Sequence, residues 1–299
     1  MTTFSLIIVT YNSSDVILPC LDSLFHAEGI VLPFEVIVVD NASTDGTVEA
    51  VRRKFASVTV LENKNNIGFA AALNQGAAVA KGTFLLLLNP DTVLHEGFLH
   101  QLHECFKSSP NAAIVGCNLV DGNGNHLPSC WYDPSLKTVF YEMFLPHKMA
   151  LELVTENPAT DQRVDMVSGA CMVIRREVFQ QLNGFDTRFF MYYEDADFCL
   201  RARQAGYNVY YYPAVSAFHH VGKSTTDMVL FYQRVFKSKL LFLQKHRPTW
   251  YYVTAYLMVI VGMLIRIPAY VIVGAITFNT KLLRLAKCYT LTLRRTVLG

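Results

Sequence analysis

The feature that most constrains the fold is the alternation of short apolar runs with helical patterns along the first 120 residues. The runs are apolar along almost their whole length, end at polar or glycine-containing loops, and lie at 5–9, 34–39, 58–61, 83–88 and 113–115. Helical spacing of apolar residues occurs between them, at 16–25, 47–55, 68–80 and 97–106. Gly82 is expected to end the third helix. This pattern predicts an α/β fold with a mainly parallel central sheet and helices on both faces.

Polar residues follow each of the first four predicted strands. They are Thr10, Tyr11, Asn12, Asp40, Asn41, Asp45, the segment 63–68, Asn89, Pro90 and Asp91. Turn chemistry alone explains one such loop. Because the carboxyl ends of parallel strands meet at the same edge of a sheet, four such loops together predict a binding cleft there.

The glycine motifs that commonly bind dinucleotides and nucleoside triphosphates do not occur. There is no G-x-G-x-x-G after the first strand and no G-x-x-x-x-G-K-[ST] in the sequence. A nucleotide could still bind, with the carboxylate of Asp40 accepting a hydrogen bond from a base N–H. Asp91 could reach a divalent cation, since hard cations prefer oxygen ligands and bridge well to phosphate.

A second group of candidate residues follows a hairpin predicted at 121–125 and a strand predicted at 166–174. Large apolar residues at 189–193 come directly before Glu194, Asp195 and Asp197, at the start of a helix predicted at 195–205. These three carboxylates cannot share one helix face. We expect Asp195 to face the cleft, with the other two capping the helix or pairing with Arg201. The alternative is that all three only complement the helix dipole.

Two histidines follow a strand predicted at 208–211 and its Pro213. His219 and His220 are either structural or, in the company of Asp91 and Asp195, ligands of a metal ion. A carboxylate held partly out of water among the aromatic residues at 189–193 would be a better base. Residue chemistry alone leaves both alternatives open.

Charge divides the chain near Asp227. Residues 1–227 hold all 24 acidic residues against 15 Lys and Arg, whereas residues 228–299 hold 11 Lys and Arg and no acid. We therefore predict an acidic domain at 1–227, with halves at 1–120 and 121–227, and a basic C-terminal region at 228–299 that associates with membrane lipid. Because the cations interleave with an apolar stretch and not with a polar groove, nucleic-acid binding is not expected.

The C-terminal region begins with an amphipathic helix predicted at 228–246, which could also pack on the acidic domain. Residues 248–280 carry one charge, Arg266, followed closely by Pro268. The apolar stretch before Arg266 is marginal for a full span, and a single crossing would place the later basic residues on the far side. We predict two helices broken near Pro268, lying in the membrane interface or dipping into it, rather than a span or a soluble core.

Cysteine usage and the amino terminus indicate a cytosolic compartment. The seven cysteines include no C-x-x-C pair, so neither a disulfide framework nor a zinc ribbon is expected. The first residues run directly into an apolar strand, and we expect no secretory signal.

Several segments together resemble family 2 glycosyltransferases of the GT-A fold, most of all the bacterial rhamnosyltransferases. They are SLIIVTYN at 5–12, VVDNASTDGT at 38–47, NIGFA at 66–70, LNPDT at 88–92, GFD at 184–186 and YEDADFCLR at 193–201. The resemblance spans residues 4–245, in order and at the family's spacing. It implies a nucleotide-sugar site in the first half and an acceptor site with the catalytic base in the second.

The resemblance also implies roles for single residues. The nucleotide-sugar site would comprise Thr10, Tyr11, Asn12, Asp40, Asn66, Gly68, Asn89 and Asp91. Asp91 matches the last carboxylate of the family's D-x-D motif, but Asn89 stands where the fuller motif has an acid. Mg²⁺ or Mn²⁺ would then be held by Asp91, His219, the donor phosphates and water. Asp195 matches the catalytic base.

The implied activity is an inverting, metal-dependent transfer of L-rhamnose from a dTDP donor to a lipid-linked saccharide of a bacterial surface polysaccharide, at the cytoplasmic face of the membrane. The acceptor would be carried on a polyprenyl diphosphate, with Trp131 and Glu194 on the acceptor side. Alternatives are transfer of galactofuranose, glucose or N-acetylglucosamine from a UDP donor, or a catalytically silent nucleotide-binding assembly subunit. Aromatic residues expected at the surface could also form a subunit interface, so the sequence is compatible with an oligomer.

Overall fold

The computed structural model describes residues 3–25, 32–156, 158–220 and 227–298. The chain divides into two compact units. The sheet unit comprises Met1–Tyr132, Thr155–Phe190 and Glu194–Ser224, and the helical unit comprises Asp133–Val154, Met191–Tyr193 and Thr225–Gly299. The domain division expected at residue 227 stays a prediction.

Eleven strands and eleven helices form in the described residues. The strands are β1 (Phe4–Thr10), β2 (Phe34–Asp40), β3 (Thr59–Glu62), β4 (Phe84–Leu88), β5 (Thr92–Leu94), β6 (Ala112–Val120), β7 (Cys130–Trp131), β8 (Gln162–Arg163), β9 (Met166–Val167), β10 (Cys171–Arg175) and β11 (Asn208–His219). The helices are α1 (Ser14–Phe25), α2 (Thr47–Lys54), α3 (Phe69–Val79), α4 (Phe98–Ser108), α5 (Leu136–Phe144), α6 (His147–Val154), α7 (Arg176–Gln181), α8 (Glu194–Gln204), α9 (Met228–His246), α10 (Thr249–Ile276) and α11 (Thr280–Leu298).

The central sheet of the sheet unit has the order β3-β2-β1-β4-β10-β6-β11-β5, with β8 added to β11. Strands β3, β2, β1 and β4 are parallel, and so are β6 and β11, whereas β10 runs antiparallel to both of its neighbours. In register, Thr10 lies opposite Asp40 and Ile8 lies opposite Leu88. The loops after β1, β2 and β4 therefore leave the sheet at one edge.

Both faces of β1 and β4 are buried, and so is most of β2. Leu6 and Ile8 of β1 join the main apolar cluster with Ile17 and Leu21 of α1. Ile7 faces α3, where Gly76 approaches so closely that a Cβ on this glycine would lie 2.5 Å from the Ile7 side chain. Burial on both faces explains why these strands are continuous apolar runs in the sequence.

Gly82 does not end α3, contrary to the prediction. The helix ends at Val79, with Ala80 as its C-cap in an extended conformation. A Cβ on Gly82 would lie 2.5 Å from the backbone nitrogen of Ser5, and the Gly82 amide donates to the Ser5 hydroxyl. This glycine is needed for close approach to β1, not for a helix stop.

The prediction of a single strand at 166–174 is wrong, because the chain forms two strands there, β9 and β10. The amide of Ser168 donates to the carbonyl of Ser129, and the amide of Gly169 donates to the carboxylate of Asp195. These amides are thus taken out of the sheet ladder. The hairpin predicted at 121–125 is confirmed, with Asp121 accepting hydrogen bonds from the amides of Asn123 and Asn125.

The strand predicted to end at residue 211 continues to His219. Pro213 lies inside β11, where the pairing with β6 shifts register between Tyr212 and Ser216. Proline lacks an N–H group and is tolerated at such an irregularity. The strand thereby carries His219 opposite Thr92 of β5.

In the helical unit, α9 has the predicted bounds. Asp227 precedes it as the N-cap, and its carboxylate accepts hydrogen bonds from the amides of Val229 and Leu230. The break predicted near Pro268 is wrong. Helix α10 runs through this proline, and the chain turns only between α10 and α11. Proline removes one backbone hydrogen bond, but contacts of a helix with its neighbours can keep it continuous.

Arg266, the one charge of the apolar stretch, lies against the end of α5. Its guanidinium donates to the carbonyls of Met143 and Leu145, at 2.9 and 2.6 Å. It also donates to the hydroxyls of Tyr270 and Tyr289. Carbonyls at a helix end lack partners within the helix, so Arg266 caps α5 and makes four hydrogen bonds in doing so.

One side of α10 presents large apolar side chains to the surroundings. Leu257, Leu264 and Ile272 are each more than half exposed. The opposite side packs within the helical unit, where the hydroxyl of Tyr251 accepts a hydrogen bond from the amide of Leu136. By length and apolar composition, α10 is the one helix in the described residues that could cross a membrane.

Candidate active site

Asp40 ends β2 and is 2% exposed. Its carboxylate accepts hydrogen bonds from the hydroxyl of Thr10 at 2.7 Å and from the hydroxyl and amide of Ser43 at 2.6 and 2.8 Å. Thr10 ends the neighbouring strand β1, so the carboxylate joins the ends of two parallel strands. Three donors fix its orientation and leave a lone pair for a further donor.

The loops after β1 and β2 are also joined through Asn12. The Asn12 side chain accepts a hydrogen bond from the backbone amide of Thr44 at 2.9 Å. The backbone amide of Asn12 donates to the hydroxyl of Ser43. Asn12 has a left-handed backbone, with φ of 51°, which asparagine tolerates better than most residues. The ring of Tyr11 is half-exposed beside this junction and is free to stack on a planar ligand.

Asn66 and Gly68 form a third loop at this edge. The side chain of Asn66 accepts a hydrogen bond from the amide of Gly68, and the carbonyl of Gly68 accepts one from the side chain of Asn41. Gly68 has φ of 89°, and a Cβ on it would lie 2.6 Å from the carbonyl oxygen of Phe190. Only glycine fits at this position. The hydrogen bond from Asn41 places the loop next to Asp40.

Asp91 and His219 meet at the start of β5 and the end of β11. Oδ1 of Asp91 lies 3.2 Å from Nε2 of His219, and the side-chain nitrogen of Asn89 lies 3.5 Å from the same imidazole nitrogen. The amide of His220 donates to the carbonyl of Asp91. The Asp91 side chain is buried. The structure thus brings together the expected pair of metal ligands, and Asn89 contacts one of them.

Asp195 lies in the first turn of α8. Its Oδ2 accepts a hydrogen bond from the amide of Gly169 at 3.0 Å, and its Oδ1 accepts one from the amide of Ala196 at 2.8 Å. Burial raises the pKa of the Asp195 carboxyl, while these N–H groups limit the rise. A carboxylate with a raised pKa that stays partly accessible has the properties of a general base.

Glu194 precedes Asp195 and lies in a different environment. It is 5% exposed, and its Oε2 is buried without a hydrogen-bond partner among the described residues. Burial raises the pKa of the Glu194 carboxyl well above its usual range, and the charge of Asp195 raises it further. The two neighbouring carboxyls are therefore not equivalent.

Asp197 pairs with Arg201, as one of the sequence alternatives predicted. Nε of Arg201 donates to Oδ2 of Asp197 at 2.8 Å, and the guanidinium also donates to the carbonyls of Leu182 and Gly184. Asp197 is completely buried. This pair has a structural role, because it fixes α8 to the turn before it.

The candidate base lies close to the Asn89 loop. The amide of Asn89 donates to the carbonyl of Ala170 at 2.9 Å, and the adjacent residue Gly169 donates to Asp195. Two consecutive residues between β9 and β10 therefore contact the loop that carries Asp91 on one side and Asp195 on the other.

Trp131 lies in β7, paired with Met166 of β9, so its strand flanks the same break. Sequence reasoning missed Gly169 and Ser43. Gly169 acts through its backbone amide, for which no sequence signal exists. Ser43 follows Asp40 by three residues, a spacing at which an Asp side chain captures a backbone amide, and this could have been noticed.

No group of three or more His, Cys, Asp or Glu side chains that could hold a metal ion occurs in the described part of the chain. The candidate protein ligands are therefore the pair Asp91 and His219. All seven cysteines are buried free thiols.

Comparisons with known proteins agree with this architecture. Residues 5–182 match the family model of glycosyl transferase family 2, and residues 150–224 match a model described as the N-terminal domain of galactosyltransferase. The N-acetylglucosaminyl-diphospho-decaprenol L-rhamnosyltransferase of Mycobacterium tuberculosis (strain ATCC 25618 / H37Rv) is 29% identical over 238 residues, which cover 73% of this chain and 77% of that protein. Rhamnosyltransferase WbbL of Escherichia coli (strain K12) is 27% identical over 223 residues, covering 72% and 82%.

Solved structures share the fold. The mannosyltransferase PcManGT from Pyrobaculum calidifontis aligns with a TM-score of 0.59 at 19% identity, covering 99% of this chain and 86% of that one. Residues 1–349 of TarS from S. aureus align with a TM-score of 0.56 at 17% identity, covering 82% of this chain and 65% of that one.

The sheet and these structures define the GT-A fold. The chain belongs to glycosyl transferase family 2, whose model matches more than half of it. The expected fold class and the expected enzyme class, a family 2 glycosyltransferase similar to rhamnosyltransferases, are thereby confirmed.

Proposed function

We propose that this enzyme transfers L-rhamnose from dTDP-rhamnose to a polyprenyl-diphosphate-linked saccharide in the synthesis of a bacterial surface polysaccharide. The observation that carries the proposal is the placement of Asp195 beside the loop of Asn89 and Asp91 through Ala170 and Gly169. A base and a diphosphate-binding edge at neighbouring positions are the two parts that sugar transfer from a nucleotide donor requires.

Asp195 acts on the acceptor in this proposal. Its carboxylate takes the proton of an acceptor hydroxyl as that oxygen forms a bond to the anomeric carbon of the donor sugar. The bond from the anomeric carbon to the diphosphate oxygen breaks, and its electron pair leaves with the nucleoside diphosphate. One displacement inverts the anomeric centre. The amides of Gly169 and Ala196 hold the carboxylate in place without taking all of its lone pairs.

Asp91 and His219 would hold Mg²⁺ or Mn²⁺ with the donor phosphates and water. Their ligand atoms are 3.2 Å apart. Neighbouring ligands of an octahedral ion lie about 3 Å apart, so the pair fits one ion. Bound there, the ion would neutralise charge on the leaving diphosphate. Asn89 adds no charge, so two protein ligands remain, and we expect weak metal binding without the donor.

The nucleotide would lie across the loops after β1, β2 and β3. Asp40 is held by Thr10 and Ser43 and would accept a hydrogen bond from the base. Tyr11 would stack on the base, with Asn12 beside the nucleotide. Asn66 and Gly68 would line the base and ribose. Trp131 and Glu194 would lie on the acceptor side.

The sugar and the acceptor are proposed from the relatives. The Mycobacterium tuberculosis relative is described as acting on N-acetylglucosaminyl-diphospho-decaprenol, and both relatives are described as rhamnosyltransferases. The structure of PcManGT contains GDP-Man and Mn²⁺, and one TarS structure contains UDP-GlcNAc. A divalent ion and a nucleotide sugar are thus both compatible with this fold, and a UDP donor is the alternative.

The helical unit would associate with the cytoplasmic face of the bacterial inner membrane. Helix α10 exposes Leu257, Leu264 and Ile272, and α11 carries five Lys and Arg residues and no acid. Apolar and cationic surfaces together favour an anionic lipid interface. We propose interfacial association rather than a span, because one side of α10 packs on α5 through Tyr251 and Arg266.

A donor panel tests the proposal. The purified enzyme is assayed for nucleotide release and product formation with dTDP-rhamnose, UDP-galactofuranose, UDP-glucose and UDP-N-acetylglucosamine, each with and without Mn²⁺. The acceptor is N-acetylglucosaminyl-diphospho-polyprenol in detergent. We expect metal-stimulated turnover of dTDP-rhamnose and an inverted anomeric centre in the product. Preferential turnover of a UDP-hexose would replace the donor, and no turnover of any donor would favour a silent assembly subunit.

A further inference from the structure

Two successive tyrosines directly before the first turn of α8 have an unusual backbone. Tyr192 and Tyr193 have φ values of 71° and 67°. This left-handed region is sterically costly for residues with a Cβ, and such residues persist there only when surrounding contacts hold them. The sequence then continues directly into Glu194 and Asp195. The contacts that hold this segment therefore bear on the start of α8.

Helix α9 holds the backbone of the residue before the two tyrosines. The hydroxyl of Ser238 donates to the carbonyl of Met191 at 2.9 Å, and Ser238 is 5% exposed. Arg234, one helical turn earlier, lies 3.8 Å from the sulfur of the same methionine. A buried hydroxyl with a well-formed hydrogen bond to one backbone carbonyl fixes that peptide plane.

The next residue of α9, Lys239, contacts the side chain of Tyr193. Lys239 is 3% exposed and forms an ion pair with Glu142 of α5. Its ammonium group lies 5.7 Å from the ring centroid of Tyr193. A buried ammonium needs a paired charge, and here the carboxylate and the aromatic face supply its partners.

Aromatic contacts complete the support. The ring of Tyr192 packs edge-on against Phe231, with ring centroids 5.4 Å apart, and the ring of Tyr193 lies against Phe242. Both phenylalanines belong to α9. All three residues at 191–193 are therefore held by one helix, on the backbone by Ser238 and on the side chains by Lys239 and the two rings.

We propose that Ser238 and Lys239 are positioning residues for the catalytic base. They hold Met191–Tyr193 in the strained conformation from which the chain enters α8, and so set where the first turn presents Asp195. The C-terminal region would then be part of the catalytic apparatus as well as a membrane-binding region. This inference rests on the proposed role of Asp195.

The test compares Ser238→Ala and the double variant Lys239→Met/Glu142→Gln with the wild-type full-length enzyme. The double variant removes both charges, so no unpaired buried charge remains. We expect kcat to fall at least about tenfold and the donor KM to change less than about twofold, since a misplaced base slows chemistry without weakening donor binding. The acid limb of the kcat–pH profile should move, because the environment of Asp195 changes. Ser238→Thr, which keeps a hydroxyl, should restore most of kcat.

Two controls separate positioning from stability. Ser135→Ala removes a helix-capping hydroxyl of α5 in the same unit, where it accepts a hydrogen bond from the amide of Thr138. Lys237→Met makes the same substitution as Lys239→Met at an exposed position two residues away. Both should leave kcat and its pH profile unchanged, although Ser135→Ala lowers the melting temperature.

Native-state hydrogen exchange gives a second readout that needs no turnover. We expect faster exchange of the amides at 191–195 in both test variants and not in the controls. Unchanged kcat in both test variants, or a loss that Ser135→Ala reproduces at equal loss of stability, would overturn the positioning role. If Asp195→Asn itself stays active, the proposed base is wrong. If that variant is inactive while both Ser238→Ala and the double variant keep wild-type kcat, only the positioning role fails.

Discussion

Oδ2 of Asp195 accepts a hydrogen bond from the amide of Gly169 across 3.0 Å. The amide of Ala196 donates a hydrogen bond to Oδ1 of the same carboxylate. Two N–H donors favour the ionised carboxylate, whereas the buried Oε2 of neighbouring Glu194 has no hydrogen-bond partner in the described residues. The two carboxyls therefore differ: the N–H donors favour the ionised form of Asp195, whereas burial raises the pKa of Glu194 and favours its protonated form.

The first prediction follows from this difference. Glu194→Gln should keep transfer within a few fold at neutral pH, because burial raises the pKa of Glu194 and the amide has the size and neutrality of the protonated carboxyl. Raised pKa values place the acid limb of the wild-type kcat/KM profile above the range of an ordinary aspartate, about 3.9. The check is a kcat/KM–pH profile of both enzymes. Loss of activity in Glu194→Gln as complete as that in Asp195→Asn would contradict the assignment.

The raised pKa of Glu194 also predicts how the free energy of unfolding depends on pH. The folded chain binds the Glu194 proton more tightly than the unfolded chain, so this stability is present at low pH and is lost as pH rises through the raised pKa. Glu194→Gln cannot ionise, and its free energy of unfolding should therefore decline less with rising pH. Parallel stability–pH curves for the two proteins would show that Glu194 ionises normally in the fold.

The second prediction concerns the metal. His219→Gln should raise the Mn²⁺ concentration for half-maximal activity at least about tenfold, because one of two protein ligands is weakened. His220→Gln is a matched control, since His220 is the exposed neighbour whose backbone amide, not its side chain, contacts Asp91. Metal titration of both variants by nucleotide release makes the measurement. Equal responses of the two variants would remove His219 from the metal site.

The third prediction concerns the ion pair beneath the site. Arg201→Met removes the charge partner of buried Asp197 and three hydrogen bonds from one guanidinium. We expect the free energy of unfolding to fall by about 3 kcal/mol. Arg203→Met, which loses a longer and more exposed contact of 3.6 Å with Asp165, should cost about 1 kcal/mol or less. Denaturant unfolding compares the two, and equal losses would contradict the structural role of Arg201.

The fourth prediction concerns membrane association. Truncation at residue 248 would also remove Tyr251 and Arg266 from α5, so substitutions on the exposed side of α10 are the cleaner test. Replacing Leu257, Leu264 and Ile272 by Gln should lower partitioning into anionic vesicles about a hundredfold, at roughly 1 kcal/mol for each residue. Vesicle flotation measures binding, and turnover of a detergent-dispersed acceptor controls for folding. Unchanged flotation would exclude this surface as the membrane contact.

Local chemistry made much of the fold predictable. The strands β1, β2 and β4 are apolar on both faces, and polar loops after them mark the ligand edge, so Asp40 and Asp91 could be placed from sequence. The four-residue spacing of Asp197 and Arg201 on one helix made their pairing one of the predicted alternatives. In each case the signal lies within a few residues of the feature.

Features that depend on distant contacts were not predictable. The amide of Gly169 leaves the sheet ladder only because Asp195 accepts it, and Gly82 is required only because β1 passes close by. Pro268 was expected to break a helix, because its local effect is visible in sequence and the packing around α10 is not. The contact of Asp91 with His219 likewise depends on β11 continuing through Pro213.

The central claim, that Asp195 is the base of sugar transfer, is tested most directly by Asp195→Asn. This substitution keeps the size of the side chain and removes its basicity. Transfer to the polyprenyl-linked acceptor and equilibrium binding of the donor nucleotide are measured on the same preparation. We predict that transfer falls below about a thousandth of wild type while nucleotide affinity stays within about threefold. Turnover near the wild-type rate in this variant would contradict the account.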